Sequence, residues 1–447
     1  MKLSKHLLAY LFLLLTIAIN AQNVTKKTFE VDELKSDVEF YFSELEKTHP
    51  NLYYYYPKDS VLQAKETIIR QLLPMSRNDF AKLIELNSNR FFDGHTGLKW
   101  YFGWGGMLTE VTIPDTAFLF PPKKIRVERG ALYTEESISK ILSINGRESG
   151  EIVATMRNIL EAGKHNYIKD CTIEDNFSTY YYLLFGSSQQ FNLTIEHDRK
   201  ITQVEWQGVA KKDVYKENNT VPHFDLIIRN DIALLTVNTF DGKLFDEFQA
   251  FLDSSIKEIK KANVKYLFID VSENGGGSDD NVSLLLDYIY PADYYFLYGY
   301  ATQGGETSGG EWERQNKIDS PYLGKLFILQ SYKTFSAGMD FSSAIKTSNR
   351  GIVIGEMTGD PAYSFSNIQK RNIMPNTKMD FVSASGFYAM PSGSHNCNLG
   401  ILPDVYCHRK DLNALKKDKN SLFEYFETII AKYGDRQNAI EILKIFE

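Results

Sequence analysis

A serine set among small residues, Thr334-Phe335-Ser336-Ala337-Gly338-Met339-Asp340, follows the apolar run Leu326 to Leu329 and precedes a helical face of Phe341, Ala344 and Ile345. At such a strand-to-helix turn the Ser336 Oγ lies beside the first free N–H groups of a helix, and the Ala337 N–H can receive the charge that develops on an attacked carbonyl oxygen. The same surroundings suit a plain helix cap. A hydroxyl nucleophile needs a base, and eight histidines are present. His95, in Phe92-Asp93-Gly94-His95-Thr96-Gly97, occupies a tight turn able to project an imidazole into a cleft. His395 and His408 are later alternatives.

Two further turns carry polar groups. Asp270-Val271-Ser272-Glu273-Asn274-Gly275-Gly276-Gly277 ends an apolar run, and its glycines let backbone N–H groups approach a ligand, an anion or oxyanion site. Gly355-Glu356-Met357-Thr358-Gly359-Asp360 ends another run with two carboxylates that line a cleft or a solvated loop. No CxxC or HExxH spacing occurs, so no metal or other cofactor is expected.

These turns need strands behind them. Leu226 to Ile228, Ile232 to Val237, Tyr266 to Val271, Leu326 to Leu329 and Ile352 to Ile354 are apolar β runs, and Phe245, Phe248, Leu252, Ile256 and Ile259 form one face of a helix. Alternating strands and helices predict a mostly parallel, layered α/β sheet with ligands at the carboxyl ends of its strands. Helical spacing from Phe29 to about Arg90 predicts a small bundle. Between Ile113 and Val221, short β runs, the Asn145-Gly146 turn and a helix from Glu151 to Leu160 predict an α+β insert. The expected boundaries are a leader at 1–21, a helical domain at 22–105, the insert at 106–220 and the α/β domain at 221–447.

Lys2 and Lys5, the apolar stretch Leu7 to Ile19 and Asn20-Ala21-Gln22 have the order of an export signal, with cleavage expected after Ala21 and a periplasmic or extracellular destination. No later stretch is long enough for a membrane helix. The formal charge of −7 argues against a nucleic-acid partner. Three cysteines, Cys171, Cys397 and Cys407, make no disulfide framework, although Cys397 and Cys407 are open to pairing.

In their order these segments resemble the S41 peptidases, the class of C-terminal processing (tail-specific) proteases and the tricorn core protease. Glu44 to Tyr53 looks like the family's opening helix and turn, and Asp93-Gly94-His95-Thr96 like its histidine turn. Ile141 to Gly146 looks like its PDZ-type insert. Asp270 to Gly277 is similar to its Asp-Leu-Arg-x-Asn-x-Gly-Gly pattern, Thr334 to Asp340 to Thr-x-Ser-Ala-x-Glu, and Gly400-Ile401-Leu402-Pro403-Asp404 to a late Gly-Val-x-Pro-Asp turn. The resemblance implies a crotonase/ClpP-like layered α/β protease domain with an N-terminal helical bundle and a PDZ-like α+β insert. It implies an acyl-enzyme peptidase acting on polypeptides, with Ser336 as nucleophile, Gly276 and Ala337 as oxyanion donors and His95 as base.

Three departures stand out. Gly359-Asp360-Pro361 replaces the Gly-Lys-Gly of the Ser–Lys members, which disfavours a lysine base. Gly94 stands where the tricorn type has a serine before the histidine, and Ser272 replaces the arginine of the glycine pattern. The orienting acid is left open among Asp93, Asp340 and Glu356. The rival expectation is a non-catalytic member of the fold that binds peptide or another ligand in the cleft.

Overall fold

The structure is a computed structural model that describes residues 28–98, 113–122, 124–135, 138–214, 222–290, 294–295, 299–302, 307–309, 313–314, 318, 320–366, 371–390 and 399–434. The expected leader, His395 and Cys397 lie outside the described residues. The expected domain boundaries at 21/22, 105/106 and 220/221 fall at or within segments that are likewise outside.

Three helices open the described chain: α1 (Val31–Thr48), α2 (Lys58–Arg70) and α3 (Arg77–Ser88). Leu34, Val38, Tyr41 and Leu45 of α1 repeat at helical spacing and meet Val61, Ala64 and Ile68 of α2 and Phe80 and Ile84 of α3 in one core. Met374, Met379 and Phe381, remote in sequence, complete that core. Buried Asp37 fastens the same contact, accepting from the Asn376 N–H (2.9 Å), the Thr377 N–H (2.8 Å) and the Thr377 hydroxyl (2.6 Å).

The next elements are β1 (Ile125–Glu128), β2 (Ala131–Thr134), β3 (Lys140–Ile144), α4 (Ser149–Asn158), α5 (Asn166–Phe185), β4 (Gln190–His197) and β5 (Lys200–Gln207). The strands pair antiparallel in the order β1-β2-β3-β4-β5, and Asn145 (φ 50°) with Gly146 (φ 77°) makes the tight turn after β3. Helix α5 has no counterpart in the expected pattern, which had turns and β runs there. It buries residues on several sides, among them Ile168, Cys171, Ile173, Phe177 and Tyr180, and so lacks the one-sided periodicity by which a surface helix is recognised.

The remaining chain builds β6 (Phe224–Arg229), β7 (Ile232–Val237), α6 (Phe245–Lys261), β8 (Tyr266–Asp270), α7 (Asp279–Asp287), β9 (Lys325–Gln330), α8 (Ala337–Thr347), β10 (Gly351–Gly355), β11 (Val405–Tyr406), α9 (Arg409–Lys417) and α10 (Lys419–Tyr433). A six-stranded sheet runs β11-β10-β9-β8-β7-β6, parallel throughout except for β6. Successive side chains point to opposite faces. Leu267, Ile269, Leu326 and Ile328 therefore pack on α6, α7 and α8, while Phe268, Phe327 and Leu329 pack on α9 and α10. The Phe268 ring stacks on Phe426 of α10 with centroids 3.8 Å apart. This is a layered α/β sheet, and its continuous apolar runs are explained by burial on both faces. Among the described residues no helix is long and apolar enough to cross a membrane.

Candidate active site

Strand β9 leads into Ser331-Tyr332-Lys333-Thr334-Phe335, and Ser336 stands just before α8 with φ 51° and ψ −128°. A positive φ in a non-glycine residue is strained, of order 1–3 kcal/mol, and is held only where the surroundings fix it. They do so here. Phe335 N–H donates to the Asn274 carbonyl (3.1 Å), Gly359 N–H to the Thr334 carbonyl (2.9 Å), and the Thr334 hydroxyl to the Val271 carbonyl (2.9 Å). The sharp turn from strand to helix presents the Ser336 hydroxyl at the N-terminus of α8, a geometry suited to a nucleophile. The N–H of Ala337, in the first turn of that helix, is a donor that α8 itself cannot use.

The histidine arrives from the other side of the molecule. Gly97 pairs with Val382 through N–H to carbonyl bonds of 3.0 and 3.1 Å, and the Thr96 hydroxyl accepts from the Ala384 N–H (3.1 Å). These bonds anchor the turn after α3 to the α/β part of the chain. His95, 3% exposed, places Nε2 3.2 Å from the Ser336 Oγ and 3.5 Å from the Ser366 Oγ. A general base must come within about 2.6 to 3.2 Å, and a looser distance is usual in an empty site.

Among the described histidines His95 is the one at this distance from Ser336. His165 and His408 cap α5 and α9 by accepting from the Tyr167 and Lys410 N–H groups (3.2 Å each). His197 lies 3.0 Å from the Ser139 hydroxyl. His49 Nε2 meets the Asp93 carboxylate at 2.9 Å, and His49 Nδ1 accepts from the Asn51 N–H at 3.1 Å.

The three carboxylates expected as orienting acids separate. Asp93 shapes the turn, its Oδ1 accepting the His95 backbone N–H (2.7 Å) and its Oδ2 facing His49. Glu356 accepts the Arg409 backbone N–H (2.9 Å) and lies 3.7 Å from the Arg409 guanidinium and 3.8 Å from His408 Nε2. Asp340 lines the cavity with Ser336 and His95. Burial, with Asp279 and Asp360 nearby, pushes its carboxyl well above the usual range.

That cavity, of about 500 Å³, is also lined by Gly277, Asp279, Asp280, Met339, Asp360, Ser364 and Tyr388. Asp360 occupies the turn where a lysine was sought. It is 4% exposed and accepts from the Ser364 hydroxyl (3.4 Å). Burial raises its pKa to about 8, Lys164 opposing and Asp93 adding to the shift. The sequence offered Asp360 both as a departure from a lysine pattern and as one of two carboxylates lining a cleft or a solvated loop, and it lines the cavity.

Gly276 fits tightly against the nucleophile: a Cβ there would lie 2.8 Å from the Ser336 Cβ. Its N–H, expected to bind an oxyanion, donates instead to the Asn274 Oδ1 (2.9 Å), an Asx-type turn. Of the two neighbouring glycines it is Gly277 that lines the cavity. Cys171 and Cys407 are buried thiols.

Residues 231–407 match the family model of Peptidase family S41. They form a serine-peptidase domain of that family. The match begins with β7 and ends just after β11, so it contains Ser336, the glycine loop and Asp360, while His95 lies upstream of it. A serine-to-alanine mutant of CPAF is similar in structure, with a TM-score of 0.61 at 12% identity over 92% of this chain and 99% of that one. Mature CPAF gives 0.54 at 12% identity, over 84% and 92%. At this identity the likeness concerns the fold. No curated protein sequence matches the chain.

At Gly94 a Cβ would lie 2.7 Å from the Phe335 Cζ, so a larger residue there requires the ring to shift.

Proposed function

We propose that this S41 chain is an exported endopeptidase that cleaves polypeptides through an acyl-enzyme, with Ser336 as nucleophile and His95 as general base. The approach of His95 Nε2 to the Ser336 Oγ at 3.2 Å carries the reading. As Oγ bonds to the carbonyl carbon, its proton passes to Nε2 and the carbonyl oxygen becomes an oxyanion. The N–H groups of Ala337 and Gly277 receive that oxyanion; Gly277 takes the role expected of Gly276, whose N–H is engaged by Asn274. Collapse breaks the C–N bond, and the imidazolium returns the proton to the leaving amine. Water then enters, its oxygen bonds to the acyl carbon as its proton passes to His95, and collapse breaks the C–Oγ bond, the imidazolium returning the proton to the Ser336 Oγ as the acid leaves. Strands β1 to β5 with α4 and α5 serve as the PDZ-like unit that grips the polypeptide. The amino-terminal Lys2 to Ala21 pattern supports export.

A fluorophosphonate probe is expected to label the protein at Ser336, and Ser336→Ala to abolish both labelling and turnover. His95→Ala is expected to lower turnover by on the order of 10³ or more. Strong labelling of the alanine variant at position 336 overturns the nucleophile, and unchanged turnover without His95 overturns the base.

A further inference from the structure

The residue before the nucleophile turns its side chain back over the base. Phe335, 9% exposed, lies against His95 with ring centroids 5.1 Å apart and planes 24° from parallel. The fit is mutual. Gly94, the residue before His95, faces the same ring, and a Cβ there would come within 2.7 Å of Cζ and 3.3 Å of Cε2. Gly94 is not among the residues with a positive φ, so its backbone would accept an alanine and only the ring forbids it. One aromatic ring thus fixes the position of the imidazole and the size of the preceding residue, while the next residue in its own chain is the serine.

We propose that Phe335 is the positioning residue of the Ser336–His95 pair, its ring holding the imidazole at the Ser336 Oγ and stabilising the imidazolium that forms when the proton is transferred. Two physical effects are involved. Stacking removes rotamers of His95 in which Nε2 leaves the serine, and a pre-oriented base lowers the barrier. The π face also attracts a cation lying over it, more strongly when the pair is desolvated. The imidazolium exists only after Ser336 gives up its proton, so this attraction favours the transition state over the ground state. Other titratable and charged groups border the pair: Asp93 and His49 on the histidine side, Lys164 at 5.4 Å from the Phe335 centroid, and Asp279, Asp280, Asp340 and Asp360 around the cavity. All of these remain when the ring is replaced, so a change in the pH profile reports the ring.

The inference rests on the Ser–His reading, and the experiment separates the two. The full chain is assayed on fluorescein-labelled casein from pH 5 to 9. Phe335→Leu, similar in bulk but without a π face, is expected to lower kcat about tenfold with KM held within about twofold, and to move the acid limb of kcat/KM down by about half a pH unit. Gly94→Ala alone is expected to cost about tenfold by displacing the ring; in the Phe335→Leu background it should cost nothing further. A Phe335→Leu variant with unaltered kcat and acid limb overturns the inference, as does an equal cost of Gly94→Ala in both backgrounds. Should Phe335→Leu fail to fold, Gly94→Ala alone decides: the inference stands if its kcat falls at near-constant KM and it falls if kcat is unchanged. Turnover retained by Ser336→Ala removes the reading beneath and the inference with it. Loss of turnover there, with an unmoved Phe335→Leu profile, removes the inference alone.

Discussion

Glu356 and Asp360 leave the same strand end, β10, and are buried in opposite electrostatic surroundings. Glu356 is fully buried, accepts the Arg409 N–H and lies beside its guanidinium, which also meets Glu174 of α5 at 2.7 Å. Asp360 faces the cavity of Ser336 together with Asp279, Asp280 and Asp340. One carboxylate is compensated by a guanidinium and ties the α5 helix to the sheet. The other holds its proton up to about pH 8. A buried carboxylate is therefore no sign of an orienting acid by itself; what faces it decides whether it latches two parts of the chain or lines the reacting space.

The sharpest way to break this contrast is Asp360→Asn, which resembles the protonated acid at every pH. In the parent, the folded state keeps a proton on Asp360 between about pH 4 and 8 that the unfolded chain has released, so unfolding free energy falls as pH rises through that window and levels off above it. At about 1.4 kcal/mol per pKa unit the fall is of order 5 kcal/mol. The variant should lose this dependence: its urea midpoint should equal the parent's near pH 4 and exceed it increasingly toward pH 8. Parallel curves for the two proteins would show that Asp360 titrates in the ordinary carboxylate range.

On the compensated side, Arg409→Met leaves Glu356 buried without its guanidinium and Glu174 with Lys410 alone, and should cost about 3–5 kcal/mol in urea denaturation. Adding Glu174→Gln and Glu356→Gln should recover much of that loss. A single variant as stable as the parent would show that Lys410, 2.9 Å from Glu174, suffices.

How much of this was legible follows from how local each signal is. The strand runs behind Asp270, Ser336 and Glu356 are visible because a parallel strand buried on both faces has no polar interruptions. The small residues around Ser336 and the turn around His95 are likewise written in consecutive positions. Three features were hidden because each depends on a partner far along the chain. Helix α5 is apolar on several sides because it packs between elements. Gly94 appeared only as a missing serine until the Phe335 ring, remote in sequence, was seen to occupy the space. Gly276 and Gly277 are indistinguishable in a glycine run; the Asn274 Oδ1, which takes the Gly276 N–H, and the cavity, which Gly277 lines, tell them apart.

The smallest expected effect concerns the other departure, Ser272. Lys416 of α9 reaches across to the glycine loop, its Nζ 2.5 Å from the Asp270 Oδ2 and donating to the Ser272 Oγ at 2.5 Å, while the Ser272 N–H donates to the Asp270 Oδ1 at 2.9 Å. A cation thus stands beside Asp270 although the arginine of the glycine pattern is missing, supplied by a helix near the end of the described chain. Lys416→Met should loosen the loop that leads to Gly277 and lower kcat about tenfold, with less effect on KM, because a donor displaced by a fraction of an ångström binds the transition state worse than the substrate. Ser272→Arg in the Lys416→Met background returns a cation from within the loop and should restore most of kcat. A Lys416→Met variant that loses thermal stability but keeps its kcat would show that the contact is structural and that turnover does not depend on it.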